Sequence, residues 1–312
     1  MTSLKAVSRT QGNNRALKAG DVKLRNYALE FEEIPVLVEA FRRMVRGLEF
    51  DVCEMALTTY ICARAHGTRM TAIPVFLVRA FHHGAILKRT GGPVQHPSDL
   101  AGKRVGVNRG YTVTTGVWAR AVLQEEYGLD LSGITWVCSG DEHVAEFVAP
   151  SNVERLRAGT TLIDALRAGE LDAVIGLDGG GDGVEPLIAQ PMVAGLAALD
   201  SRGHYPINHL VVIKDDLLDR DPDLAADVFE AFAQSKRQYV DDLLGGRIAQ
   251  PTDVDRLHLE VAHRIGDPLP YGIDSNRRTI ENLVAHAVTQ GILRAPVPVE
   301  ELFAPATRAL QG

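Results

Sequence analysis

The sequence predicts an α/β protein of two lobes, the second inserted into the first. Three observations carry this. Between residues 103 and 177, strand-like and helix-like patterns alternate, which is the mark of a parallel, doubly wound sheet. A turn-rich stretch, RTGGPVQHPSDLAGK, precedes that region, and a returning apolar run at 207–213 follows it. The tail is then helical over 222–244, 253–264 and 275–290. It can supply helices to cover the strands of the N-terminal part. The expected division is a loose arm at 1–21, a first lobe from 22–91 and 206–312, and an inserted lobe at 92–205. Ligands of open α/β sheets sit beyond the carboxyl ends of strands, so a cleft between the lobes is the expected site.

The elements follow in order. Residues 23–30 read as a strand. Ile34, Leu37, Val38, Phe41, Met44 and Val45 recur at helical spacing, which predicts an amphipathic helix over 34–46. A strand at 50–55 runs into a helix at 56–65. Strands follow at 72–78 and 85–88. The inserted lobe reads as strand 103–107, helix 114–127, strand 134–138, helix 161–167 and strand 172–177. No internal repeat is present.

Composition narrows the function. The chain has 312 residues, 46% hydrophobic and 23% charged, with a net charge of −7. Cores of ordinary size are expected. Acidic balance argues against nucleic acid as the main partner, which wants a basic face. No apolar run is long enough to span a bilayer, and the basic, polar N-terminus lacks the apolar core of a signal peptide. Cys53, Cys62 and Cys138 form no CxxC pair. This sparse set fits a reducing cytosol, and a cytoplasmic location is expected.

Candidate chemistry lies at strand ends. Arg79, His82 and His83 form a polar set between two apolar runs. Arg suits a carboxylate and His titrates near neutral pH, so the set suggests an acidic substrate that also needs a proton. Glu54 closes a strand, with Thr58 and Thr59 just after it. Thr114 and Thr115 open a helix, where they would cap the first turn and where N–H groups can meet an anion. Arg109 and Tyr111 precede them. His209 sits in an apolar strand, with Asn208 alternating to the other face. The loop DGGGDG offers Asp178 as a polar contact, and Tyr271 lies in the turn PLPYGI. No zinc spacing, P-loop, GxSxG elbow or Schiff-base lysine motif is present.

Four segments resemble the 4,5-dihydroxyphthalate decarboxylase family: FDVCEMALTTYI at 50–61, AIPVFLVRAFHHGAILKR at 72–89, the run from 99 to 128, and YPINHLVVIK at 205–214. They occur in the family's order. The similarity runs from about 23 to 303. The resemblance implies a type 2 periplasmic-binding-protein-like fold, α/β and two-lobed, with a cleft between the lobes. It also implies non-oxidative loss of CO2 from a hydroxylated aromatic acid, most directly 4,5-dihydroxyphthalate, with no organic cofactor; no metal-ligating residues are assigned, and the need for a divalent metal is left open. On that reading His83, His209 and Glu54 are catalytic, with His83 the preferred proton donor. Arg79, His82, Arg109, Tyr111, Thr114, Thr115 and Asp178 bind substrate. The partner is a small aromatic carboxylate, with no nucleic acid and no membrane, and a homo-oligomer is left open. His82-His83, Gly84 and Asn108-Arg109-Gly110 depart from the family's usual motifs. A non-catalytic binding protein for a small organic anion, or a same-fold enzyme acting on a related acid, are the competing readings.

Overall fold

The N-terminal residues form a strand, not the loose arm their polar composition predicts. In this computed structural model, which describes residues 2–177, 179, 181 and 183–312, β1 spans Thr2–Val7. Leu4 and Ala6 alternate inward and are buried, a two-residue period masked in the sequence by the charged and polar residues around it. Then follow α1 (Arg15–Ala19), β2 (Tyr27–Phe31), α2 (Leu37–Gly47), β3 (Val52–Ala56), α3 (Leu57–Ala65), β4 (Met70–Arg79) and β5 (Ile86–Arg89). The middle of the chain gives β6 (Arg104–Val107), α4 (Thr114–Tyr127), β7 (Thr135–Cys138), β8 (Val153–Arg155), α5 (Leu162–Ala168), β9 (Ala173–Ile175), β10 (Val184–Pro186) and α6 (Pro191–Arg202). The last section holds β11 (Ile207–Lys214), α7 (Asp215–Arg220), α8 (Leu224–Leu244), α9 (Asp253–Ile265) and α10 (Arg277–Thr289).

The chain divides into two units. The first takes the residues up to Arg79, Ile207–Glu281 and Val297–Gly312; the second takes Ala80–Pro206 and Asn282–Pro296. This corrects the expected boundaries. Strand β5, expected in the first lobe, pairs with β9 and β10 in the sheet of the second unit. The division therefore falls before the turn-rich stretch, not within it. The tail also returns, and the division passes through α10. In the second unit His286 of that helix and Gln290 just after it bond Glu125 and Arg120 of α4, which ties 282–296 to it.

The first unit has a five-stranded sheet in the order β2-β1-β3-β11-β4. Strands β1, β2 and β3 run parallel, and β11 is antiparallel to both β3 and β4. Every residue of β3 is buried, as expected for a strand covered on both faces. The second unit has a six-stranded sheet in the order β10-β5-β9-β6-β7-β8. Its strands β9, β6, β7 and β8 run parallel, as the alternation of strands and helices predicts. Leu87, Val137, Leu162, Leu166, Leu171 and Val174 pack together against it. Among the described residues, no helix is long and apolar enough to cross a membrane.

Candidate active site

Sheet register creates the first polar pair. On β3 and β11, Glu54 faces Val211, and Ala56 faces His209. Glu54 and His209 are thus diagonal neighbours on one face, within reach of long side chains. His209 Nδ1 lies 2.6 Å from Glu54 Oε1. The other carboxylate oxygen accepts the backbone N–H of Arg9 at 2.9 Å. A carboxylate only accepts, so Nδ1 carries the hydrogen and Nε2 is left as the working nitrogen. The carboxylate side chain is 0% exposed, whereas the imidazole retains 16%. Phe41 of α2 meets the imidazole edge-on, with ring centroids 5.1 Å apart.

Strand β11 is irregular where His209 sits. From Ile207 to His209 it advances two residues while β4 advances one, so Asn208 is a bulge residue. The irregularity continues along β4 past Pro74, which has no N–H to give the ladder. Bulges re-aim side chains, and here the bulge adjoins the His209 position.

Arg79 ends β4 and is buried. Its guanidinium donates to the side-chain oxygen of Asn276 and, at 3.4 Å, to the carbonyl of Pro270. Asn276 in turn donates to the carbonyls of Pro270 and Gly272. Arg79 therefore fastens the 270–276 turn to the end of β4. Tyr271 in that turn is buried, and burial pushes its hydroxyl pKa well above the ordinary range; Asp267 and Glu54 add to the rise while Arg79 opposes it.

The second unit holds a different cluster. His82 and His83 lie in the turn before β5, and both are buried. His83 Nε2 is 3.0 and 3.1 Å from the two oxygens of Glu126. Arg202 Nη2 lies 2.5 Å from the same carboxylate. Burial raises the Glu126 pKa, but His83 and Arg202 outweigh it and hold the group below the usual carboxylate range. Burial pushes His82 down to about 3, with His204 and His83 adding to the effect. Burial also pushes His204 down to about 4. Trp118 stands edge-on to His204 and His286, and His286 Nε2 is 2.8 Å from Glu125. Despite these histidines, no group of three or more His, Cys, Asp or Glu among the described residues could hold a metal ion.

His83 and the pair Thr114 and Thr115 are not brought together at one end of α4. Glu126, the partner of His83, follows Thr114 by twelve residues, roughly 18 Å along a helix axis. Nor do the threonines cap the helix. The N-cap is Val113, with no side-chain cap hydrogen bond, so Thr114 and Thr115 are already in the first turn. Contact of this helix start with a substrate carboxylate, as expected from the sequence, belongs to the proposed binding mode.

The loop before α4 is fastened from below. Arg109 adopts φ 71°, the left-handed region, and its N–H donates to Ser139 Oγ at 2.8 Å. Tyr111 is buried rather than presented to a ligand, its ring 3.9 Å from the guanidinium of Arg120. Arg120 donates to the Tyr111 carbonyl and to Gln290, both at 2.7 Å. Asp178 lies outside the described residues.

Sequence reasoning missed Arg9, Phe41, Arg120, Glu126, Arg202, His204 and His286 as members of these clusters. Glu125-Glu126, near the end of an apolar helix, was the readable signal for the partners of His286 and His83. The others depend on tertiary approach alone.

The chain is similar to known proteins in sequence and in fold. Over 286 residues, 86% of each chain, the protein is 31% identical to a 4,5-dihydroxyphthalate decarboxylase of Comamonas testosteroni. Over 146 residues, 44% of this chain and 56% of the relative, it is 40% identical to a 4,5-dihydroxyphthalate decarboxylase of Pseudomonas putida. No family model matches. Among solved structures, the periplasmic aliphatic sulphonate binding protein SsuA of Escherichia coli aligns with a TM-score of 0.55 and 14% identity, covering 97% of this chain and 92% of that one. A ligand-binding component of an ABC-type import system from Staphylococcus aureus aligns at 0.53 and 13% identity, covering 99% of both. The desulfurization enzyme DSZB aligns at 0.51 and 14% identity, covering 98% and 97%. These likenesses show a type 2 periplasmic-binding-protein-like fold, and the sequence match over most of its length shows that the chain belongs to the 4,5-dihydroxyphthalate decarboxylase family.

Proposed function

We propose that the protein decarboxylates 4,5-dihydroxyphthalate to 3,4-dihydroxybenzoate and CO2 without an organic cofactor. Family membership supports the reaction class. The observation that carries the residue assignment is the Glu54–His209 pair, with a buried carboxylate and a more accessible imidazole.

The substrate supplies its own electron sink. Each ring carboxylate has a hydroxyl para to it. As that phenol loses its proton to water, electron density moves to the ring carbon bearing the carboxylate. His209 Nε2 delivers a proton to this carbon, and Glu54 stabilises and orients the imidazolium. The C–C bond to the carboxylate then breaks, its electron pair restores the aromatic ring, and CO2 leaves. The phenolate and His209 each regain a proton from water. The net change is uptake of one proton and release of one CO2.

This reading moves the donor from His83 to His209. His83 Nε2 is committed to Glu126, and its Nδ1 is buried with no hydrogen-bond partner among the described residues. The three cysteines are free and buried, which supports a reducing, cytoplasmic setting; fractionation of the source cells checks this.

The test is incubation of pure protein with 4,5-dihydroxyphthalate, with CO2 and catechol product measured, with and without chelator. Turnover unaffected by chelator and lost in His209→Asn is expected. Tight binding of the substrate with no CO2 would return the protein to a binding-only role.

A further inference from the structure

We propose that Glu142 is a positioning residue: its carboxylate is an internal ligand seated in a carboxylate cradle formed by Gly110, Tyr111 and Thr112, and it sets the loop that leads into α4. One oxygen accepts the backbone N–H of Tyr111. The other accepts the backbone N–H of Thr112 at 3.1 Å and its hydroxyl at 2.6 Å. Three donors thus converge on one carboxylate, as they would on a bound acid. Gly110 makes room for it. A Cβ there would lie 2.6 to 2.8 Å from the Glu142 carboxylate atoms, closer than real contacts allow.

The other side of the loop explains why a carboxylate belongs here. Arg120 is wholly buried in α4 and takes the Tyr111 carbonyl, while its guanidinium lies on the Tyr111 ring. Its Nη1 is buried with no hydrogen-bond partner among the described residues. Arg120 thus leaves a buried positive charge under the loop, and burial lowers its pKa. A carboxylate in the cradle offsets that charge and takes the N–H groups that point away from it. Arg120 holds a carbonyl of the loop and Glu142 holds its N–H groups. Together they fix residues 110–112 immediately before Val113, the N-cap of α4. The first-turn N–H groups of α4 then keep one direction.

The proposal rests on the reading that this helix start receives a substrate carboxylate. Glu142→Ala should raise KM about tenfold to a hundredfold, as loss of a charge-assisted set does, with kcat within about twofold. Formate added at matched ionic strength should refill the cradle, lowering KM and raising Tm, whereas chloride should do neither. Glu142→Gln should fall between wild type and Glu142→Ala. In the Gly110→Ala/Glu142→Ala double variant the new Cβ fills the vacated seat, so formate should rescue nothing. Wild-type KM in Glu142→Ala, or a Tm indifferent to formate, would overturn the proposal. The Tm response reads the cradle even if the protein turns over no dihydroxyphthalate, so failure of the inference and failure of the proposed activity are distinguishable.

Discussion

Each unit contains a buried histidine–glutamate pair, and the two are built in opposite senses. In the first unit, Glu54 is the sealed member at 0% exposure and His209 the accessible one at 16%. In the second, His83 is sealed at 1% and Glu126 is the accessible one at 16%. The partners differ too. Glu54 has a backbone N–H as its second donor, whereas Glu126 has the guanidinium of Arg202. A buried carboxylate behind an accessible imidazole fixes the orientation of the ring and leaves its other nitrogen toward whatever binds in front of it. A buried imidazole behind a carboxylate already shared with Arg202 holds chain segments together. On the proposed mechanism the same two residue types serve proton transfer in one place and packing in the other, and exposure separates the two.

The sharpest way to break this comparison is to remove each imidazole's function separately. His209→Asn should lower turnover by about 10²–10⁴, the usual cost of losing a general acid, with substrate affinity mostly kept. Steady-state kinetics and the pH–rate profile check it. Equal losses in His209→Asn and His83→Asn would erase the distinction between the pairs.

Arg79→Lys tests a neighbour of the first pair. Lysine cannot reproduce the guanidinium's contacts with both Asn276 and Pro270. A loss of about 1–3 kcal/mol in folding stability is expected, the cost of an unmade buried hydrogen bond, alongside weaker substrate binding. Chemical denaturation and calorimetric titration separate the two. Unchanged affinity would remove Arg79 from substrate contact and leave it as the clasp of the 270–276 turn.

Acid sharpens the comparison between units. His82 and His204 have folded-state pKa values of about 3 and about 4 in the second unit, and His258 about 4 in the first. All lie below the unfolded value of about 6.5. The unfolded chain therefore binds more protons as pH falls, and stability present above about 6.5 is lost progressively toward about 4 for His204 and His258 and about 3 for His82. At pH 5.5 each histidine costs about 1.4 kcal/mol. That is about 2.8 for the second unit and about 1.4 for the first. Hydrogen exchange at pH 7.5 and 5.5 should find the larger loss of protection in the second unit. A uniform loss would show that these histidines do not control it.

The smallest effect is expected from His83→Asn. It should cost about 1–3 kcal/mol of stability and leave kcat within about twofold, read by thermal melts and kinetics. A large fall in turnover would restore His83 as the donor.

Alternating polar and apolar positions and helical periodicity are local properties, so the sequence alone determined most elements: α2, β3, α4, the parallel core of the second unit and the three long C-terminal helices. The family resemblance also brought Glu54 and His209 forward. Other elements escaped. Strand β1 has only two clear inward positions among polar neighbours, and α6 begins at Pro191 after a left-handed Gln190. Register, burial and long-range partners belong to the tertiary structure. Glu54 and His209 are 155 residues apart, and only the pairing of β3 with β11 puts them on one face. His83 reads like a catalytic histidine in the sequence, and only the tertiary structure shows Glu126 against its Nε2. Glu142 gives no sequence signal, because a carboxylate in a loop becomes an internal ligand only when three donors of another loop close around it.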